Sequence, residues 1–240
     1  TGPTGSGKST TLYATLTRIN TVEEHIITIE DPVERQLEGI IQGHVNERAG
    51  MTFAAALRSM LRQDPDVIMV GEMRDRETAD LAIRAALTGH LVFSTLHTNS
   101  AAASYTRLAD MGCDPFLLTT TIRAILAQRL IRKLCDRCKV KYRPTEKDLK
   151  SIGLKRLDGF IYHANSKGCK TCGKDGYKGR AGLYELLIPN EVINEAVKNE
   201  ASAEEVSRIA KGNKMRMLED AARTYVTQGL TSVEEINRVL

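Results

Sequence analysis

Short runs of apolar, β-branched residues recur in the first hundred positions, at His25–Ile29, Val67–Val70 and Leu91–Thr95. The stretches around 52–63 and 77–88 carry helical spacing instead. Because the short runs are continuously apolar rather than alternating, they read as strands buried on both faces. The expected class is therefore α/β, a mostly parallel sheet covered by helices, with functional residues at the carboxyl ends of the strands. Thr10–Leu16 reads as a helix that opens near Lys8. Farther on, Ile125-Leu126, Leu130-Ile131 and Leu134 interrupt a basic stretch containing Arg123, Arg129, Arg132, Lys133, Arg137, Lys139, Lys141 and Arg143, a spacing that predicts an amphipathic helix. From about residue 190 onward the pattern predicts a small helical bundle.

Composition narrows the class. With 240 residues, 42% apolar and 27% charged, the chain can build one sizeable α/β domain plus a smaller appendage. No apolar run reaches the roughly 18 residues of a membrane span, so a soluble, cytoplasmic chain is expected. A net charge of +4, no Trp and 5% aromatic residues leave neither the charge density nor the stacking platforms of a dedicated nucleic-acid binder, and no nucleic-acid partner is expected. The competing reading, a nucleic-acid translocase, would need an electrostatic track. The basic stretch itself reads either as a solvated face or as a surface for an acidic membrane leaflet or a partner's cytoplasmic domain.

The strongest chemical signal stands at the start. Gly2-Pro3-Thr4-Gly5-Ser6-Gly7-Lys8-Ser9 fits G-x-x-x-x-G-K-[ST] at every fixed position, and Thr10 follows. Its glycines let backbone N–H groups wrap the phosphates of a nucleoside triphosphate, Lys8 reaches the β- and γ-phosphates, and the Ser9 hydroxyl suits Mg²⁺. Such loops normally follow a buried strand and none precedes Thr1, so the chain reads as a portion of a longer protein.

Acids and histidines fall at the predicted strand ends. Glu30-Asp31-Pro32 stops the first run, which leaves a carboxylate placed to orient water, although the same residues also make an ordinary acidic turn. The run Val67–Val70 delivers Glu72, suited to the Mg²⁺ side of a phosphate-loop enzyme. His90 and His97 bracket the third run; either can be a structural histidine, and His97 is also placed to sense a γ-phosphate.

Cys135-Asp136-Arg137-Cys138 and Cys169-Lys170-Thr171-Cys172 form two C-x₂-C pairs. Two such turns supply four thiolates for a closed structural Zn²⁺ site, with disulfides as the alternative. Cys113 stands apart and reads as a structural thiol.

Taken together, GPTGSGKST, TIEDPVE, RQDPDVIMVGEMRD and TGHLVFSTLHTN resemble, in order, the Walker A, Asp box, Walker B and His box of the type II secretion and type IV pilus-assembly ATPases. The resemblance covers nearly the whole chain. It implies a RecA-like core at about 1–130, a tetracysteine zinc module at 131–180, absent from retraction members, and a helical C-terminal region at 181–240. It further implies a hexameric motor at the inner membrane, working with membrane-platform and cytoplasmic-domain proteins to assemble a pseudopilus or pilus. Glu30 becomes the catalytic glutamate, Glu72 acts at Mg²⁺, His90 and His97 form the His-box pair, and Arg62 and Arg74 flank the Walker B strand where the family has functional arginines. Each arginine also suits a surface ion pair.

Overall fold

Strands β1 (Ile26–Glu30), β2 (Ile41–His44), β3 (Val67–Val70) and β4 (Leu91–Ser94) form one sheet in the order β2-β1-β3-β4, and every pair in it is parallel. The computed structural model describes residues 1–240. Alternation along the strands assigns their faces. Ile27 and Ile29 of β1 and Ile68 and Val70 of β3 pack with Phe53, Leu57 and Met60 of α2 (Phe53–Met60) and with Ala82 and Ala85 of α3 (Arg76–Leu87). On the opposite face, Ile26, Val67 and Met69 meet Tyr13 and Leu16 of α1 (Lys8–Ile19). All five residues of β1 and all four of β3 are buried, and both strands present apolar side chains to each face of the sheet, Thr28 and Glu30 being the buried polar residues of β1. Burial of each large aliphatic side chain contributes about 1.5–3 kcal/mol.

The chain forms two compact units. The first comprises Thr1–Thr4, Lys8–Ile125 and Leu187–Gly212; the second comprises Gly5–Gly7, Leu126–Leu186 and Asn213–Leu240. The first also holds α4 (Ala103–Asp110), α5 (Pro115–Thr121), α7 (Glu191–Lys198) and α8 (Ala203–Gly212), numbered with α6 (Glu146–Ser151) between them. In the second, β5 (Ile125–Leu134) pairs with β8 (Tyr177–Leu187), and β6 (Val140–Tyr142) pairs antiparallel with β7 (Ile161–His163). Its core joins Ile131, Ile152, Ile161 and Leu183 to Leu218 and Val226 of α9 (Leu218–Thr227) and Val233 and Ile236 of α10 (Val233–Val239).

Two sequence expectations change. The basic stretch is not an amphipathic helix: Ile125–Leu134 is a strand, and Gln128 and Arg129, which would lie on a helix's polar face, are buried with Ala127 and Ile131. Short apolar pairs do not fix a period, and the pairing with β8 decides it. The helices expected beyond residue 190 do form, but they make no single bundle, because α7 and α8 belong to the first unit and α9 and α10 to the second. No helix is long and apolar enough to cross a membrane.

Candidate functional site

The glycine-rich loop turns into α1 at Lys8. Gly5 (φ 77°) and Gly7 (φ 90°) take left-handed backbone conformations that side-chain-bearing residues resist. Within the second unit, Gln128 Nε2 donates to the Ser6 carbonyl at 2.8 Å, while the Ser6 hydroxyl is buried without a hydrogen-bond partner. The loop's start is tied to the chain beyond β4, since the Gly2 N–H and the Thr1 hydroxyl both donate to the Leu96 carbonyl, at 3.3 and 2.8 Å. Pro3 and Thr4 are exposed, as is Thr10 in the first turn of α1. Lys8 Nζ donates to the carbonyls of Gly2 (2.9 Å) and Pro3 (3.3 Å), so the ammonium folds back over the loop.

From Lys8 a polar chain runs along the carboxyl edge of the sheet. His97 Nε2 lies 3.5 Å from Lys8 Nζ and 3.2 Å from Glu72 Oε1. Arg74 Nε donates to Glu72 Oε2 at 2.8 Å, and Arg74 Nη1 lies 3.5 Å from Asp31 Oδ2. The bond to Glu72, reinforced by the charges of Glu72 and Asp31, pushes the Arg74 guanidinium above its ordinary value. His97 Nε2 has one position to share: carrying a proton it donates to Glu72, and without one it accepts from Lys8. A phosphate drawing Lys8 away would therefore change what His97 can bond.

Glu30, the last residue of β1, is 5% exposed. Its Oε1 accepts from the Thr28 hydroxyl (2.7 Å) and Gln42 Nε2 (3.0 Å), and its Oε2 accepts from the Tyr13 hydroxyl. Alternation puts Thr28 and Glu30 on the same face as Ile26, toward α1, and the β1–β2 register places Gln42 opposite Thr28. Burial, then the bond to Glu30, pushes the Tyr13 phenol up. Ser9 Oγ donates to Glu34 Oε1 at 3.2 Å.

Not all the expected residues meet here. Arg62 bonds the Arg58 carbonyl (3.0 Å) and the Ser59 hydroxyl (3.4 Å) beyond the end of α2. His90 lies at the start of β4, its Nδ1 3.0 Å from the Ala85 carbonyl and 3.2 Å from the Thr88 hydroxyl, whereas His97 follows the strand's other end. Sequence reasoning missed Tyr13, Gln42 and Glu34. Tyr13 was legible as Ser9 plus four, the next position on that face of α1, but Gln42 sits on a four-residue strand with no apolar signal.

In the second unit, the Sγ atoms of Cys135, Cys138, Cys169 and Cys172 all lie within 4.8 Å of one another. The pairs Cys135–Cys169, Cys138–Cys172 and Cys169–Cys172 are each 3.8 Å apart, far beyond a disulfide bond of about 2.05 Å. Four sulfurs about 2.3 Å from a tetrahedral centre would stand about 3.8 Å apart, so the donor set fits Zn²⁺. The Cys169 amide donates to Cys172 Sγ (3.2 Å) and the Gly176 amide does so too (3.3 Å), pulling that thiol down to about 6. Cys113 is buried elsewhere, and burial pushes its thiol up.

A parallel α/β sheet with a glycine-rich phosphate loop and acids at its carboxyl edge defines the class of P-loop nucleotide-binding proteins. Over residues 1–238 the sequence matches the family described as type II/IV secretion system protein, and the chain belongs to that family. It is 50% identical over 239 residues to type II secretion system protein E of Pseudomonas aeruginosa, covering 100% of this chain and 47% of that protein. It is 47% identical to type II secretion system ATPase E of Vibrio cholerae, with the same coverage, and 47% identical to the type IV pilus assembly ATPase PilB of Thermus thermophilus, covering 98% of this chain and 27% of that protein. Among solved structures, the pilus retraction motor PilT with bound ADP superposes with a TM-score of 0.71 at 34% identity, covering 98% of this chain and 58% of that one. The Legionella pneumophila ATPase DotB gives 0.68 at 25% identity, covering 99% and 57%. The chain thus spans about half the length of the type II secretion proteins it matches.

Proposed function

We propose that this chain is the catalytic portion of a secretion-motor ATPase that hydrolyses ATP to drive assembly of the pseudopilus of type II secretion. The observation that carries the reading is the continuous polar chain Lys8–His97–Glu72–Arg74 at the sheet edge where β1 ends in the buried Glu30; in this reading Lys8 is the phosphate-binding cation, Glu72 the metal-side acid and Glu30 the water-orienting acid. Gly2 to Thr10 wrap the nucleotide. Water held by Glu30 attacks the γ-phosphorus in line, the bond to the β-γ bridging oxygen breaks, ADP leaves, and the water's proton passes toward the Glu30 carboxylate. Lys8 stabilises the charge on the transferred group. Mg²⁺, held by the Ser9 hydroxyl and Glu72, would neutralise phosphate charge. Both residues offer the oxygen donors such a cation takes. His97 reads the γ-phosphate through Lys8 and pairs with His90 as the His box; Arg62 and Arg74 neutralise phosphate charge within or across the subunit interfaces of a homohexamer.

In the same reading residues 1–130 are the motor core, 131–180 a zinc-stabilised module and 181–240 a C-terminal region that is helical beyond the end of β8. The assembly works in the cytoplasm against inner-membrane platform proteins. PilB of Thermus thermophilus is as similar as the Vibrio cholerae protein, which supports a type IV pilus-assembly motor as the second reading. Phosphate release in Mg²⁺–ATP tests the site. Lys8→Ala is expected to lose nucleotide binding and turnover, and Glu30→Gln to keep binding and lose turnover. Unchanged turnover in Lys8→Ala would refute it.

A further inference from the structure

We propose that Tyr13 and Gln42 are positioning residues that fix the Glu30 carboxylate and tie its orientation to the helix that begins at the phosphate loop. The inference rests on the reading of Glu30 as the water-orienting acid. Three donors, on three different elements, reach this one carboxylate: Tyr13 from α1, Thr28 from β1 and Gln42 from β2. Thr28 shares the strand of Glu30 and moves with it. Tyr13 and Gln42 do not, and each carries a second set of bonds that fixes it independently.

The Gln42 amide has only one orientation that satisfies its neighbours. The Leu37 N–H donates to its Oε1 at 2.6 Å, so Nε2 must face the other way, where it donates to Glu30 Oε1 and to the Arg35 carbonyl at 3.1 Å. Gln42 thereby pins the loop after β1 and the acid at its start with a single side chain. The Tyr13 hydroxyl donates to Glu30 Oε2 and accepts the Glu34 N–H at 3.1 Å, while Ser9, one turn earlier on α1, donates to the Glu34 carboxylate. Lys8, Ser9 and Tyr13 lie on one rigid helix. A shift of that helix as its first turn engages phosphates is therefore transmitted to Glu30 through the phenol. A carboxylate offers about four lone-pair sites, and three are engaged, which leaves one for a water molecule and restricts where that water can stand. The ionisable groups facing Glu30 are Tyr13 on α1, Glu34 in the following turn and His44, level with Glu30 on β2; at that height β3 is followed by Gly71, whose side-chain position lies against the Glu30 backbone.

The test compares Tyr13→Phe and Gln42→Glu with the unsubstituted chain and with Glu30→Gln. Tyr13→Phe keeps the ring that packs against Ile26 and Met69 and deletes only the donor, so kcat is expected to fall roughly tenfold or more with the KM for ATP within about twofold. Gln42→Glu, which replaces the Nε2 donor with a like charge beside Glu30, should lower kcat at least as far with the KM for ATP again held. In a Glu30→Gln background Tyr13→Phe should cost nothing more, since the two act as a unit. Unchanged kcat in Tyr13→Phe, while Glu30→Gln is inactive, would overturn the positioning role and leave the proposed function standing; full turnover in Glu30→Gln would overturn both. A readout independent of turnover uses ¹³C-labelled tyrosine, with the Tyr13 resonance identified by its loss in Tyr13→Phe. The Tyr13 phenol should titrate at lower pH in Glu30→Gln, and an unmoved titration would overturn the contact.

Discussion

Glu235 is a buried carboxylate of the second unit bonded by two arginines, and its removal gives a stability prediction that can be worked from geometry. Its side chain is fully buried, Oε1 accepts the Arg132 backbone N–H at 2.8 Å, and Oε2 accepts from Arg132 Nε (3.0 Å) and Nη2 (2.9 Å). Arg238 adds bonds of 2.9 and 2.5 Å. Burial alone would push this carboxyl up; the bonds from Arg238 and Arg132 outweigh it and hold it at about 2. The drop from an ordinary 4.5, at about 1.4 kcal/mol per pH unit, is worth roughly 3–4 kcal/mol. Arg132 and Arg238 keep 40% and 56% of their side-chain surface exposed, so solvent screening trims this to about 2–3 kcal/mol. Because the native carboxyl titrates below its unfolded counterpart, the contribution is complete above about pH 4.5 and fades as pH falls toward 2. Glu235→Gln keeps the size and removes the charge.

Two compact units make a single global unfolding energy ill defined, so the assay is hydrogen exchange by mass spectrometry on peptides of β5 and α10. Protection there is expected to fall by about 2–3 kcal/mol at pH 7 in Glu235→Gln, with peptides of β1 and β3 unchanged. The difference between the two chains should shrink below pH 4.5, a double difference that cancels acid effects elsewhere. A loss under about 0.5 kcal/mol at pH 7, or a difference that persists undiminished to pH 2.5, would refute the reasoning.

Three further outcomes follow from the loop and the cysteines. Gly7→Ala forces a side chain into a φ of 90° and brings its Cβ to 3.3 Å from Gln128 Nε2, so it should cost about 1–2 kcal/mol and weaken nucleotide binding roughly tenfold, measured by calorimetry; wild-type affinity would show that the loop tolerates the strain. The chain should carry about one Zn²⁺, lost in Cys172→Ser and kept in Cys113→Ser, by elemental analysis. In the folded protein Cys113 should also react slowly with a thiol reagent at pH 8, since burial holds it protonated, and fast reaction would contradict its placement.

The chain's local signals were sufficient for much of this. A glycine-rich loop ending in Lys8-Ser9 needs particular backbone freedom and side-chain reach, and β1 and β3 announce themselves because a strand covered on both faces carries apolar residues on each. The C-x₂-C pairs fixed their own turns. What the sequence could not decide were matters of partner and register. Whether Ile125–Leu134 coils or extends depends on β8, some fifty residues away, and apolar pairs fit either period. The division of the last four helices between two cores depends on which apolar faces meet, not on their individual patterns. Above all, the clamp on Glu30 exists because β2 pairs in parallel with Gln42 beside Thr28 and because α1 covers that face with Tyr13. Hydrogen bonds between elements are set by pairing register and packing, which act only once the chain has folded, whereas loop chemistry and strand burial are written residue by residue.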